Sequence, residues 1–166
     1  MKNIKVVILM GSDSDLPVMQ KACEVFEEFG IGYEMDISSA HRTPEKVIQY
    51  VKDARKRGIE VIIAGAGMAA HLAGFIAAHT TLPVIGVPIK SGALDGIDAL
   101  YSTVQMPPGI PVATVAVDGA KNAAYLAAGI LSIKYDEIEK RLEEHRQNMK
   151  DLVEEKSKKL KKIFKP

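Results

Sequence analysis

The sequence predicts a doubly wound α/β sandwich, a five-stranded parallel sheet with helices on both faces, closed by a long C-terminal helix. Three observations carry this. Apolar runs of strand length alternate with segments of helical periodicity along most of the 166 residues. The runs are continuously apolar, as strands covered on both faces are, instead of alternating with polar residues. The joints are short and marked by Gly, Pro, Ser and Asp, so the connections read as right-handed βαβ units.

Ile4 to Met10 is β-branched and apolar after Lys5, and forms the first strand. Gly11-Ser12-Asp13-Ser14-Asp15 breaks it. Pro17 then opens a helix with Val18, Ala22, Val25, Phe26 and Phe29 on one face and Gly30 at its C-terminal cap. Tyr33 to Ile37 is the second strand and Ser38 to Arg42 a loop. Thr43 caps a helix that starts at Pro44 and runs to about Arg57, where Gly58 stops it. Glu60 to Ala64 is the third strand, followed by the loop Gly65 to His71 and an Ala-rich helix through Ala78. Pro83 to Val87 and Pro111 to Val117 are the fourth and fifth strands, with a helix from Gly96 to Val104 between them. Ala120 to Leu131 is a further helix, and a long charged one runs from Tyr135 to about Phe164. Five such strands take the flavodoxin-like order 2-1-3-4-5. Residues 1–166 read as a single domain, with 1–133 an α/β core and 134–166 a helical arm.

Composition narrows the function classes. Lys+Arg 22 against Asp+Glu 21 leaves a net charge of +1, without the basic excess that nucleic-acid or membrane-surface binding requires. Hydrophobic residues at 47% exclude disorder, and one cysteine, Cys23, excludes a disulfide framework and suggests a reducing compartment. No apolar stretch reaches membrane-spanning length and no signal peptide is recognisable, so a cytoplasmic protein is expected. The charges are unevenly spread: residues 61–133 hold only Lys90, Asp95, Asp98, Asp118 and Lys121. Helices this poor in charge lack a solvated face, and Met68 to His79 and Ala120 to Leu131 are expected to pack against other subunits.

In this topology ligands bind beyond the carboxyl ends of the strands, at the switch between strands 1 and 3. Three loops converge there. Gly11, Ser12 and Ser14 offer amides and hydroxyls to a phosphate before a helix, yet match neither a Walker loop nor Gly-x-Gly-x-x-Gly. Asp15 suits a ribose diol; Ser14 or Asp15 as a plain helix cap is the competing reading. Histidine is the side chain type suited to giving and taking a proton around neutral pH, and His41 stands beside Arg42, whose planar fork suits phosphate or carboxylate. An acid/base next to an anion anchor and a surface histidine next to a cap both fit that pair. In Gly65 to His71, small residues let a planar ligand approach the backbone, and His71 at a helix start suits a neutral hydrogen-bonding role. There is no His-x-x-x-His pair, no cysteine cluster and no carboxylate adjoining His41 or His71, so no metal site is expected. Cys23 reads as a small buried residue, and His79 and His145 carry no assigned role.

Five motifs now stand in one order: Gly11-Ser12-Asp13-Ser14-Asp15; Ser39-Ala40-His41-Arg42-Thr43-Pro44; Ala64-Gly65-Ala66-Gly67 with Ala69-Ala70-His71-Leu72; Leu82-Pro83-Val84-Ile85-Gly86-Val87-Pro88; and Val104-Gln105-Met106-Pro107 with Gly109-Ile110-Pro111-Val112-Ala113. Between about residues 4 and 132 the chain closely resembles the N5-carboxyaminoimidazole ribonucleotide mutases (PurE, class I), the phosphoribosylaminoimidazole carboxylase catalytic subunit family. The resemblance implies a purine-biosynthetic isomerase that moves a carboxyl group from an exocyclic nitrogen to ring carbon 4, without cofactor or metal. It makes His41 the general acid/base, places phosphate on Ser12, Ser39 and Arg42, and ribose on Asp15. It lines the base and carboxylate with the backbone of Gly67 to Leu72, including Ala70 and His71, adds Gly11, Ser14 and Ala40 as substrate-binding residues, and sets Met106 to Gly109 at the border of the site, from the same or a neighbouring subunit. It further implies a homo-octamer with sites shared between subunits, and a transient contact with the carbamate-forming synthetase.

The chain departs from that pattern at Met68, where Gly is usual, at Ala73 for Pro, at Phe75 for Met, and in a shorter Asp118-Gly119-Ala120 turn. Met68 bears on pocket shape. The neighbouring reading is an aminoimidazole ribonucleotide carboxylase using free carbon dioxide, in which Lys-Gly follows the histidine; His41-Arg42-Thr43-Pro44 favours the mutase. A flavodoxin-like binding module without catalysis is the more distant one. A receiver domain would need an acidic residue where Ala64-Gly65 stands, and a flavin site more aromatics than 5%.

Overall fold

Val6, Ile8 and Met10 point to one side of the first strand and Val7 and Leu9 to the other, and each set meets its own hydrophobic layer. That two-sided burial is why the run carries no polar alternation. The structure, a computed structural model, describes residues 3–164; Met1-Lys2 and Lys165-Pro166 lie outside the described residues. Five strands, β1 (Ile4–Met10), β2 (Gly32–Ile37), β3 (Val61–Gly67), β4 (Val84–Ile89) and β5 (Ala113–Thr114), form one parallel sheet in the order β2-β1-β3-β4-β5. The sequence expectation for fold class and strand order is met.

Six α-helices complete the chain: α1 (Leu16–Phe29), α2 (Pro44–Ala54), α3 (Leu72–Ala77), α4 (Ile97–Val104), α5 (Ala120–Ser132) and α6 (Asp136–Ile163). On one face Met19, Phe26 and Phe29 of α1 pack with Ala123, Ala127 and Leu131 of α5 and Ile138 of α6. On the other, Val47 and Val51 of α2 pack with Leu72 and Ile76 of α3. Each fully buried Val, Leu, Ile or Phe contributes about 1.5–3 kcal/mol. Gly30 ends α1 in the left-handed region at φ 67, where a side chain would be strained.

Several boundaries differ from the sequence expectation. β3 continues through Gly65-Ala66-Gly67, which pair with Val87, Pro88 and Ile89. Glycine weakens a strand in isolation but does not break one whose two neighbours supply the ladder. As a result α3 keeps only six residues. β4 likewise ends two residues later, at Ile89. β5 is two residues instead of seven: past Thr114 the chain still follows β4, with Val115 N–H donating to Gly86 O and Asp118 N–H to Pro88 O, but the ladder is irregular. α2 stops at Ala54, before the turn that carries Gly58 at φ 86. Thr43 does not cap α2 through its side chain; its hydroxyl donates to Ser39 O and accepts from Ser39 N–H, closing the preceding loop.

The alanines of α5 are buried within the chain, because a small-residue helix fits between α1 and α6. On its outward side Leu126 is exposed, as are Leu94, Ile97, Tyr101 and Val104 on and before α4, and Met149, Leu152, Leu160 and Ile163 on the distal part of α6. α6 is anchored by Ile138 and Leu142, while acidic residues in its first turn and Lys161 and Lys162 in its last complement the helix dipole.

Glu60, just before β3, ties the start of α6 to the sheet. It accepts from Lys5 Nζ (2.8 Å), Tyr135 Oη (2.5 Å) and Lys134 Nζ (3.3 Å). Burial pushes its carboxyl up, but the three donors outweigh it and hold it below the usual value. Glu60→Ala is expected to destabilise the fold by about 1–3 kcal/mol, read as a lower denaturation midpoint at neutral pH. Since the folded carboxyl is the stronger acid, this contribution is full above the ordinary Glu value and lost as pH falls through the lowered one. The gap between the variant and its parent should therefore close in acid; a gap independent of pH would show that the carboxylate's charge is not what matters.

Candidate active site

The ends of β1, β2, β3 and β4 open into one cavity of about 530 Å³, within the range of small-ligand sites. From β1 come Gly11, Ser12, Ser14 and Asp15. After Gly11, whose N–H donates to Gly65 O, the chain turns into a short 3₁₀ turn (Asp13–Asp15) that leads into α1. Asp15 is buried, and its Oδ2 accepts the Ser12 N–H at 3.1 Å, while Ser12 Oγ accepts the Ser14 N–H at 3.4 Å. Asp15 stands at the N-terminal boundary of α1 but does not cap that helix through its side chain; its carboxylate closes the 3₁₀ turn onto Ser12 and forms part of the cavity wall. Burial pushes the Asp15 carboxyl above its ordinary value, against the backbone donors of Ser12 and Gly11 and the positive charge of Arg42.

From the turn after β2 come Ser39, Ala40, His41 and Arg42. Arg42 reaches across to β1, donating from Nη2 to Gly11 O at 2.7 Å and from Nε to Ser39 Oγ at 3.4 Å. Two of its five N–H donors are used this way, leaving a partly exposed fork toward the cavity that Ser12 and Ser39 also line. At the end of β2, Ser38 is fully buried, and its hydroxyl is the one buried side-chain polar atom without a partner among the described residues.

β3 and the turn after it supply Ala66, Gly67, Met68, Ala69, His71 and Leu72. His71 immediately precedes α3, and its ring centre lies 5.3 Å from that of His41, the planes inclined by 32°. Two loops distant in sequence thus set two imidazoles face to face over one cavity. The edge of Phe75 supports His71 from the far side, with ring centres 5.6 Å apart and nearly perpendicular.

Of the twelve residues singled out from the sequence, eleven line the cavity. Ala70 does not; it is buried behind the wall. Met106 packs against Gly74 of α3, and Gly109 lies in a separate groove with Ile110 and Pro111, so the segment from 106 to 109 does not border this cavity within one chain. Ala66 and Ala69 belong to the loop Gly65 to His71 that the sequence points to; sequence reasoning missed Ser91, which follows the buried run of β4. The rule that found the other loops, a polar break at the carboxyl end of a strand, applies to Lys90-Ser91-Gly92 as well. Met68 stands at φ 54, a conformation that costs a residue with a side chain about 1–2 kcal/mol, and is 63% exposed at the cavity mouth.

A doubly wound sheet with paired imidazoles and an arginine fork at its switch point is the frame of a small-ligand α/β protein with acid–base capacity. The family model described as AIR carboxylase matches residues 5–152, and the chain belongs to this family. It is 65% identical over 155 residues to the N5-carboxyaminoimidazole ribonucleotide mutase of Pyrococcus horikoshii, covering 93% of this chain and 88% of that protein. It is 60% identical over 159 residues to the mutase of the same name from Thermotoga maritima, covering 96% and 93%. Among solved structures, the crystal structure of Treponema denticola PurE superposes with a TM-score of 0.83 at 35% identity, covering 92% of this chain and 96% of that one.

Proposed function

We propose that this chain converts N5-carboxyaminoimidazole ribonucleotide to 4-carboxy-5-aminoimidazole ribonucleotide, an isomerisation in purine biosynthesis. The observation that carries the reading is the pairing of His41 with Arg42 at one cavity mouth, in a chain 65% identical to a protein named for that reaction. Ser12, Ser39 and the free N–H groups of Arg42 bind the phosphate as a positioning handle, and Asp15 the ribose. The ring then extends toward β3, where Gly67 and the segment through Leu72 offer backbone to its edge.

The His41 imidazolium gives its proton to the carbamate nitrogen as the N–C bond breaks, releasing carbon dioxide beside the ring. Carbon 4 attacks the carbon dioxide and forms the new C–C bond. The now neutral imidazole removes the proton from carbon 4, which restores aromaticity and returns His41 to its starting state. One group serves both transfers because an imidazole nitrogen can both donate and accept a proton. His71, at the helix start, is a hydrogen-bonding support beside it.

A carboxylase acting on aminoimidazole ribonucleotide and free carbon dioxide is the second reading, and the Arg42-Thr43-Pro44 continuation after His41 speaks against it. Supplying the carbamate in one reaction, and aminoimidazole ribonucleotide with bicarbonate in the other, decides between them. The mutase reading expects turnover of the carbamate to exceed carboxylation at least a hundredfold at equal nucleotide concentration. Comparable rates would make the chain a carboxylase.

The reading includes a cytoplasmic homo-oligomer, an octamer by resemblance. The apolar side chains on α4 and distal α6 support it, since exposed patches of this kind are ordinarily covered by another protein. Sedimentation of the assayed protein as a monomer would contradict the assembly.

A further inference from the structure

We propose that Ser91 is a positioning residue for this reaction, acting through the backbone of Met68; the inference rests on the mutase reading above. Its hydroxyl oxygen accepts the Met68 N–H at 3.0 Å, linking the end of β4 to the turn after β3. The hydroxyl is seated by the absence of a side chain at Gly67, where a Cβ would lie 2.3 Å from Ser91 Oγ and 3.0 Å from its Cβ. The preceding residue is pinned in turn, since Lys90 N–H donates to Asp118 Oδ1 at 2.9 Å. Ser91 therefore has a defined place, lining the cavity from the end of β4, which of the four strands that open into it lies farthest from β2 and Arg42.

Met68 shows what the contact accomplishes. Among the described residues three other than glycine have positive φ, and the other two are Asp95 and Asp118, whose short polar side chains tolerate that region. A methionine has no such local compensation, so its left-handed turn depends on tertiary contacts. The Ser91 acceptor holds the N–H of Met68, and the Ala70 N–H holds its carbonyl oxygen at 2.8 Å. The same turn delivers His71 to its place 5.3 Å from His41. Without the Ser91 oxygen, Met68 can relax toward negative φ, and the wall carrying Ala69 and His71 moves with it. Misplacement of about 1 Å is enough to cost a reaction up to a hundredfold.

The test combines Ser91→Ala, Ser91→Thr, Met68→Gly and the Ser91→Ala/Met68→Gly double variant in the full-length protein. Ser91→Ala should lower kcat at least tenfold with KM within about threefold, because the phosphate anchor is remote. Ser91→Thr, which keeps the oxygen, should stay within about fivefold of the parent. In the Met68→Gly background the same alanine substitution should cost less than about threefold, since glycine holds positive φ without a Cβ penalty. An equal loss in both backgrounds would overturn the inference, as would an undiminished kcat in Ser91→Ala. Hydrogen exchange at the Met68 amide, measured without substrate, should be faster in Ser91→Ala than in the parent; unchanged exchange refutes the tether. A parent that does not turn over the carbamate fails the mutase reading, while the exchange result still reports on the tether by itself.

Discussion

Replacing His41 with Asn is expected to leave nucleotide binding within a few-fold of the parent while kcat falls by roughly three to four orders of magnitude. Asparagine fills a similar volume and can hydrogen-bond, but it cannot take up or release a proton near neutral pH. General acid–base catalysis by one positioned group contributes about 10²- to 10⁴-fold, and the proposed route uses the same imidazole twice. His41 lies on an exposed turn outside both hydrophobic layers, so the variant should fold as the parent does. Binding of aminoimidazole ribonucleotide by calorimetry, set beside kcat for the carbamate, separates the two effects. A variant that still interconverts the carboxylated nucleotides at near-normal rate would remove His41 from the chemistry and leave His71 as the imidazole to examine.

Arg42→Ala is the second large effect, and it should fall on KM. The phosphate is remote from the bonds that change, so losing its anchor weakens ground state and transition state alike. A rise of about 10- to 100-fold in KM with kcat within several-fold is expected. The structure adds a component that the sequence did not show: Arg42 joins the β1 and β2 loops through Gly11 O and Ser39 Oγ. Arg42→Lys keeps the charge but cannot make both contacts with a planar fork, so it should recover only part of the loss. Full recovery would mean that charge alone matters, and an unchanged KM in Arg42→Ala would take the residue out of the phosphate site.

How far the sequence could be read differs from element to element. β1 is legible to the residue because both its faces are covered, and a run that is apolar without a break after Lys5 meets that requirement. α1 was legible through Pro17 near its start, Gly30 at its end and a clear apolar face. Gly65-Ala66-Gly67 read as a loop because local preference disfavours glycine in strands, whereas β4 pairs with all three residues and β1 with Gly65, which holds the segment in the ladder. β5 read too long because the apolar run Pro111 to Val117 has strand length, while an edge position has only one partner and leaves the ladder irregular. The sequence of α5 shows a helix poor in charge but not which side its alanines take; their smallness lets the helix fit between α1 and α6 of the same chain, with Leu126 on the outward side.

The site shows the same division. His41, Arg42, Asp15 and the serines could be named because each follows directly on a buried strand, and the parallel topology sends every such end to one edge of the sheet. Ser91 obeys the same rule and was passed over because a lone serine between Lys and Gly carries no distinctive chemistry. Sequence by itself determined the alternation of elements, the order of the strands and the side of the sheet on which chemistry gathers, since these follow from burial pattern and chirality. Only the tertiary structure decided that His41 faces His71, that Arg42 closes onto Gly11, and that Ser91 holds Met68 in a left-handed turn. Those contacts join segments 23 to 31 residues apart, and their geometry depends on how the whole sheet packs, which no local preference encodes.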